Sequence, residues 1–248
     1  MISQRSRLDL IWVGLFLLLS QSCARQEVRE ERLRAVDSVA AVSLLGNDFA
    51  IDLISPSPLT ASTESLVDIS GWKLDESFRE LLRQGAVSRG RVFQDFTLDP
   101  DALKKALSVR ESRWKRVEGK ESQALLDLLF AEAERRGLKY FFLLTPFVPA
   151  ERPAPYRYPS GVFCSDRKPR PSRAYPYFVF RFSLWKVESR QRVFAYEVKP
   201  GDTDQLVFAD CRELATMKNP ELLLEKPVKD AMDLVVAALF EKLGWKKP

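Results

Sequence analysis

Apolar and polar residues alternate most clearly along residues 177–187. The side chains of a β-strand point to opposite faces in turn, so this alternation predicts a strand with one buried face. After a polar turn at residues 188–191 the chain returns through residues 192–198, which predicts a β-hairpin. The predicted core face of the first strand consists of Phe178, Phe180, Phe182 and Leu184.

Shorter apolar runs predict the remaining strands. Residues 39–45 and 49–54 flank a Gly-Asn-Asp sequence at 46–48 that accepts left-handed backbone angles, and this pattern predicts a second hairpin. Residues 140–144 are apolar throughout, which is typical of an interior strand covered on both faces. Further short strands are predicted at residues 66–69, 86–96 and 205–211.

Four segments carry apolar residues at helical spacing. A helix at residues 121–136 has a broad apolar face, and Gly137 stands where a helix-terminating glycine belongs. Asp99 and Pro100 predict the start of another helix, because Asp accepts from unpaired N–H groups and Pro fits the first helical position. The other two helices are predicted at residues 75–84 and 227–243, ended by Gly85 and Gly244.

Residues 35–248 are therefore predicted to form a single mixed α/β domain, with a largely antiparallel sheet and about four packed helices. Residues 146–176 contain eight of the fifteen prolines. They predict a long loop, because proline has no N–H to donate and favours extended chain. This segment is either a partner-binding loop or a surface insertion. Its candidate binding residues are Tyr156, Tyr158, Arg167, Lys168, Arg170 and Arg173.

The first residues of the chain have the pattern of a secretory signal peptide. Arg5 and Arg7 precede an uninterrupted apolar run at residues 10–19. A helix of that length measures about 15 Å, whereas about 20 residues are needed to cross a bilayer core. A basic start, a short apolar run and small residues behind it predict that residues 1–22 are a signal peptide.

Leu19-Ser-Gln-Ser-Cys23 resembles the lipobox of bacterial lipoproteins. The family usually has Leu three residues before the cysteine, where this chain has Ser20. The resemblance implies cleavage before Cys23 and a diacylglycerol on its thiol. It places the protein in the bacterial cell envelope, lipid-anchored on the periplasmic or surface face of a membrane, with the outer membrane favoured. The alternatives are a soluble secreted protein and an uncleaved anchor helix.

Residues 23–34 connect the proposed lipid to the domain. They carry mixed charge and few apolar side chains. This composition predicts either a solvated tether, which would lift the domain off the lipid headgroups, or a short helix packed on the domain surface.

Composition excludes several classes of protein. With 46% hydrophobic residues the chain can bury a core. Without residues 1–22 it has 37 basic and 33 acidic side chains, and this mild, scattered charge is not that of a nucleic-acid-binding protein. The chain has no histidine, which excludes a Ser-His-Asp or Cys-His catalytic set and histidine-bound metal. We expect no cofactor and no metal site, because Asp202 and Asp204 lack further spaced carboxylates and are read as turn residues.

Two cysteines remain if Cys23 is lipidated. Cys164 and Cys211 would then be an even pair in an oxidising compartment. A disulfide between them would close a loop of about 47 residues and stabilise the fold by about 4 kcal/mol. The alternative is two separate thiols.

The order of elements in residues 121–243, helix, strand, hairpin and helix, resembles the core of certain envelope lipoproteins. These include the curli-secretion lipoprotein and the lipoprotein activators of penicillin-binding proteins. The resemblance lies in pattern alone and implies a non-enzymatic partner-binding or assembly role, with an envelope protein or a glycan as partner. The alternative is an envelope hydrolase that uses carboxylates or Lys. A pocket with converging acidic groups would favour the hydrolase, and an apolar sheet face or edge left uncovered would favour binding.

Overall fold

The structure, a computed structural model, describes residues 31, 33–54, 63–101, 103, 123–146, 158–165, 173–199, 202, 214 and 221–246. These residues form one mixed α/β domain with two β-sheets and three α-helices. The strands are β1 Ser38–Ser43, β2 Asp48–Ile54, β3 Thr63–Asp68, β4 Val92–Gln94, β5 Tyr140–Pro146, β6 Ser160–Ser165, β7 Arg173–Phe178, β8 Phe180–Lys186 and β9 Gln191–Val198. The helices are α1 Leu74–Val87, α2 Gln123–Arg135 and α3 Glu221–Lys242.

The strands divide into two mixed sheets rather than one largely antiparallel sheet. Sheet A has the order β4-β1-β5-β8-β9, and sheet B has the order β3-β2-β6-β7. Strand β1 pairs in parallel with β4 and β5, and β2 pairs in parallel with β6, whereas the other pairings are antiparallel. The α/β class predicted from the sequence is confirmed, and the predicted predominance of antiparallel pairing within one sheet is wrong.

The hairpin predicted at residues 39–54 is also wrong, although both of its strands exist. Strand β1 lies in sheet A and β2 lies in sheet B. Gly46 adopts the left-handed geometry that the pattern predicted, with a φ of 82°, but Asn47 and Asp48 do not, and the turn carries the chain from one sheet to the other. The carboxylate of Asp75 holds this crossing by accepting hydrogen bonds from the N–H groups of Leu45 at 2.9 Å and Gly46 at 3.2 Å.

The strand predicted at residues 177–187 is divided between the two sheets. Strand β7 ends at Phe178 and β8 begins at Phe180, and Val179 between them donates its N–H to the carbonyl of Pro159. The hairpin of β8 and β9 is confirmed. All four side chains of the predicted core face are fully buried: Phe178, Phe180, Phe182 and Leu184.

Helix α1 continues past Gly85, where the sequence predicted its end. A Cβ at this position would lie 2.0 Å from Cε2 of Phe240 in α3, so glycine here serves the close approach of two helices rather than a helix stop. Gly137 and Gly244 do follow helix ends, with φ values of 66° and 68°. The helix predicted from Asp99 is seen only in its first turn, and the rest lies outside the described residues, so three α-helices are described instead of about four.

The prediction of a continuous loop at residues 146–176 is wrong for two stretches, because β6 and most of β7 lie within it. Pro176 lies in β7, which is an edge strand of sheet B among the described residues. An edge strand tolerates proline because the missing N–H is not needed on its outward side. Pro146 is the last residue of β5 and therefore does not interrupt that strand.

Two hydrophobic clusters fix the layers around sheet A. One cluster joins one face of sheet A, the inner face of sheet B and the helices α1 and α3, and its residues include Val39, Phe142, Phe182, Phe49 and Phe240. The second cluster joins the other face of sheet A to α2. Sheet A is thus covered on both faces, as its apolar strand β5 predicted.

Glu132 on α2 provides a pH-dependent contribution to stability. Hydrogen bonds from Arg135 and Arg136 lower its pKa from the ordinary 4.5 to about 2. Since the pKa is lowered in the folded state, the carboxylate stabilises the fold above pH 4.5 and loses this effect as the pH falls toward 2. We expect Glu132→Gln to cost about 0.5–1 kcal/mol at pH 7, because the partner Arg135 is exposed, and nothing near pH 2.

Urea unfolding of wild type and Glu132→Gln between pH 7 and pH 2 measures this difference. Glu241→Gln, an exposed change on α3, serves as the control. If the difference in the free energy of unfolding between the wild type and Glu132→Gln stays constant from pH 7 to pH 2, the role given to the Glu132 carboxylate is contradicted.

Candidate functional site

The face of sheet B that points away from the core carries aromatic side chains. Within the described residues, the cluster on this outer face consists of Ala50, Tyr177 and Val179, with Tyr158 and Phe163 packed against it. None of these residues belongs to a helix, in contrast to sheet A, on which helices pack from both sides. Tyr175 is the register partner of Phe163 and lies on the same face. We call Tyr158, Phe163, Tyr175 and Tyr177 the aromatic face.

The aromatic face is only partly accessible. Tyr158, Phe163 and Tyr175 are each partly exposed, whereas Tyr177 is buried against the sheet. Partly exposed aromatic rings offer contact area with little conformational entropy to lose on binding. The arrangement is therefore suited to the binding of a partner.

A buried polar pair joins β7 to β2 on this face of the sheet. The hydroxyl of Tyr177 donates a hydrogen bond to Oδ2 of Asp52 at 3.0 Å, and Asp52 is only 3% exposed. The Tyr177 ring can lie across β6 because position 161 of that strand is glycine. A Cβ there would lie 2.5 Å from the Tyr177 hydroxyl oxygen. Burial of a carboxylate is costly unless it is hydrogen-bonded, so this bond locks the orientation of Tyr177.

Two of the six predicted binding residues reach the outer face. Tyr158 packs against the aromatic cluster, and Arg173 is exposed at the start of β7. Arg173 precedes Tyr175 and Tyr177 at a spacing of two, so all three lie on one face of the strand. The other predicted binding residues lie outside the described part of the chain: Tyr156, Arg167, Lys168 and Arg170.

Of the three cysteines, only Cys164 lies among the described residues. Cys164 is buried on the inner face of sheet B and belongs to the main core. Cys23 and Cys211 lie outside the described residues, so both the lipidation and the disulfide stay predictions.

Sequence reasoning missed Asp52, and it did not recognise that β6 and β7 bring their aromatic residues together. The period of two in Arg173, Tyr175 and Tyr177 was the available signal, but the prolines of the segment favoured a loop. Nothing in the local sequence marked Asp52, because its partner Tyr177 is 125 residues away.

An open groove of about 440 Å³ lies between α1 and α3. Its charged lining residues are Lys73, Glu76, Glu80, Lys229 and Asp233. Several of these charges form ion pairs with residues of their own helix. Glu80 pairs with Arg83, and Nζ of Lys229 lies 2.7 Å from Oε1 of Glu225. Hydrogen bonds from Arg83 and Gln84 lower the pKa of Glu80 to about 2, whereas a general acid at neutral pH needs a raised pKa. Glu80 is therefore not suited to act as a general acid at neutral pH.

In the part of the chain that the structure describes, no group of three or more His, Cys, Asp or Glu side chains is placed to hold a metal ion. None of the helices described is long and apolar enough to cross a membrane.

No protein-family model matches this sequence, and no curated protein matches it either. Among solved structures, the chain is similar to a neuraminyllactose-binding hemagglutinin homologue from Helicobacter pylori, with a TM-score of 0.38 and 7% sequence identity. The match covers 84% of this chain and 83% of that chain. A likeness this weak does not establish a shared fold or function.

Proposed function

We propose that this protein is a lipid-anchored lipoprotein of the bacterial cell envelope, and that its domain binds a partner without catalysis. The signal peptide pattern and the lipobox-like sequence before Cys23 support the location. The observation that carries the binding role is the aromatic face, whose packed residues come from strands and the adjoining chain and not from a helix. Tyrosine side chains, which are apolar along the ring and polar at the hydroxyl, are enriched at interaction sites.

The connection between the lipid and the domain is short. Leu33 is buried, and its carbonyl oxygen accepts a hydrogen bond from the indole N–H of Trp245 at 3.0 Å. The chain is thus fixed to the core ten residues after Cys23. Ten extended residues span at most about 35 Å, so the anchored domain would stay close to the membrane surface.

Labelling with a radioactive fatty acid tests the anchor. We expect label on the wild type and on the control Cys211→Ser, and none on Cys23→Ser, which should also leave the membrane fraction. Acyl chains anchor at about 0.8 kcal/mol per buried CH₂, so their loss should release nearly all of the protein. An unlabelled wild type, or equal label on Cys23→Ser, would refute the lipoprotein.

A photo-crosslinking amino acid, introduced in the cells used for fatty acid labelling, tests whether the aromatic face binds a partner. We place it at Phe163 or Tyr175 on the aromatic face, and at Leu234, which is 43% exposed on α3, as the control. Discrete adducts at the first two positions and none at Leu234 are the expected result. Identical adducts at all three positions would remove the aromatic face as the binding surface.

A further inference from the structure

Strand β3 ends sheet B with an edge that has neither the short length, the proline nor the register shift of the other described edges, although Glu64 and Asp68 give it negative charge. Among the described strands, β4 is only three residues long, β7 contains Pro176, and β9 meets a register shift at Leu184 and Trp185. Such features prevent unwanted strand pairing. Strand β3 has six residues, a continuous register with β2, and no Pro, Lys or Arg.

The backbone of β3 has hydrogen-bonding groups at this edge that pair with no other described strand. Ile69, just after the strand, donates its N–H to the carbonyl of Asn47 at 3.0 Å. Bonded and non-bonded pairs alternate in an antiparallel ladder, so Val67 and Ser65 also bond to β2. The N–H and C=O groups of Leu66 therefore point away from β2, and its side chain is 52% exposed.

The charge next to this edge is acidic. Asp68 is the register partner of Asp48, and both are exposed. They form a non-hydrogen-bonded pair, in which the Cα atoms are about 4.5 Å apart. Like charges directly opposite each other destabilise a sheet. Asp68 accepts a hydrogen bond from the N–H of Ser70 at 2.9 Å, but neither carboxylate makes an ion pair with a residue that the structure describes, so a cation placed beside Asp68 would relieve the repulsion.

We infer that the open edge of β3 binds an extended segment of another protein by strand addition, with an apolar residue opposite Leu66 and Lys or Arg two residues away, opposite Asp68. Main-chain hydrogen bonds supply affinity in this mode, and alternate side chains supply specificity. The inference rests on the proposed function and deepens it, because it makes the partner a polypeptide with a cation-x-apolar pattern. The edge adjoins the aromatic face through Leu66, the register partner of Ala50.

A second copy of β3 is disfavoured at this edge in the register that pairs Leu66 with Leu66. If two β3 strands paired antiparallel with Leu66 opposite Leu66, Asp68 of one copy would share a register position with Glu64 of the other. Two acidic residues would then meet at each end of the pairing, which is unfavourable. A cationic partner removes this conflict.

The test uses the full-length protein in detergent and a fluorescent peptide, Thr-Lys-Thr-Val-Thr-Lys-Thr, with a second peptide that has Glu for Lys. We expect fluorescence anisotropy to show at least about tenfold tighter binding of the Lys peptide. Leu66→Pro removes an outward N–H but no bond to β2, so it should weaken binding at least about tenfold and leave the circular dichroism unchanged. Leu66→Thr keeps the N–H and should stay within about threefold of wild type.

Reversing the charge at Asp68 provides a second test of the inference. This test stays informative even if Leu66→Pro fails to fold. Asp68→Lys should reverse the preference between the two peptides, whereas Glu241→Lys, the same charge change on α3, should not. Equal binding of both peptides by the wild type, unchanged binding by Leu66→Pro, or a concentration-dependent dimer that Leu66→Pro abolishes would overturn the inference. Loss of the fatty acid label alone would refute the envelope anchor and leave the peptide result standing.

Discussion

Phe78→Ala should lower the free energy of unfolding by about 3–5 kcal/mol. Phe78 lies on α1, is fully buried, and makes edge-to-face contacts with Phe178, Phe180 and Phe182 at ring-centroid distances of 5.6, 5.1 and 6.5 Å. Phe178 belongs to sheet B and the other two belong to sheet A, so one ring packs on both sheets where the chain passes between them. Removal leaves a cavity at this junction that neither sheet can fill alone.

Urea unfolding followed by circular dichroism measures the loss. Glu76→Ala on the same helix is the control, because its side chain is 63% exposed and should change the free energy by less than about 0.5 kcal/mol. A cost below about 1 kcal/mol for Phe78→Ala would mean that the junction repacks, and that this ring does not hold the two sheets together.

Gly161→Ala should destabilise the domain by about 3 kcal/mol, near the upper end for overpacking. The new Cβ would lie 2.5 Å from the carbonyl oxygen of Ala50 and 2.5 Å from the Tyr177 hydroxyl oxygen. The first of these atoms is backbone, so β2 and β6 would have to separate. The second must move away from Asp52, which would lose a hydrogen bond at a buried carboxylate.

Two comparisons separate these causes. Gly71→Ala is the matched control, because a Cβ there meets nothing within 4 Å and its stability should stay close to wild type. Tyr177→Phe removes the hydroxyl without the steric clash and should cost about 1–2 kcal/mol. If Gly161→Ala unfolds at the same urea concentration as Gly71→Ala, the close packing of Tyr177 across β6 is not real.

The candidate site could be predicted only in part from the sequence. Arg173 and Tyr158 were recognisable as basic and aromatic residues of a proline-rich segment, and the structure brings both to the outer face of sheet B. The prolines concealed β6 and β7, because they predict a loop unless the strand is known to be an edge. Asp52 and the open edge of β3 could not be inferred, since both depend on which strands are neighbours.

The sequence by itself determined the local elements of this protein. Alternation identified the buried face of β8, an unbroken apolar run identified the interior strand β5, and the glycines after α2 and α3 marked where those helices end. Each of these features depends on residues a few positions apart. The tertiary structure alone decided that β1 and β2 lie in different sheets, that Val179 separates β7 from β8, and that α1 passes Gly85 beside Phe240. A period of two states which side of a strand is buried but not which strand lies beside it, because pairing joins residues far apart in the chain.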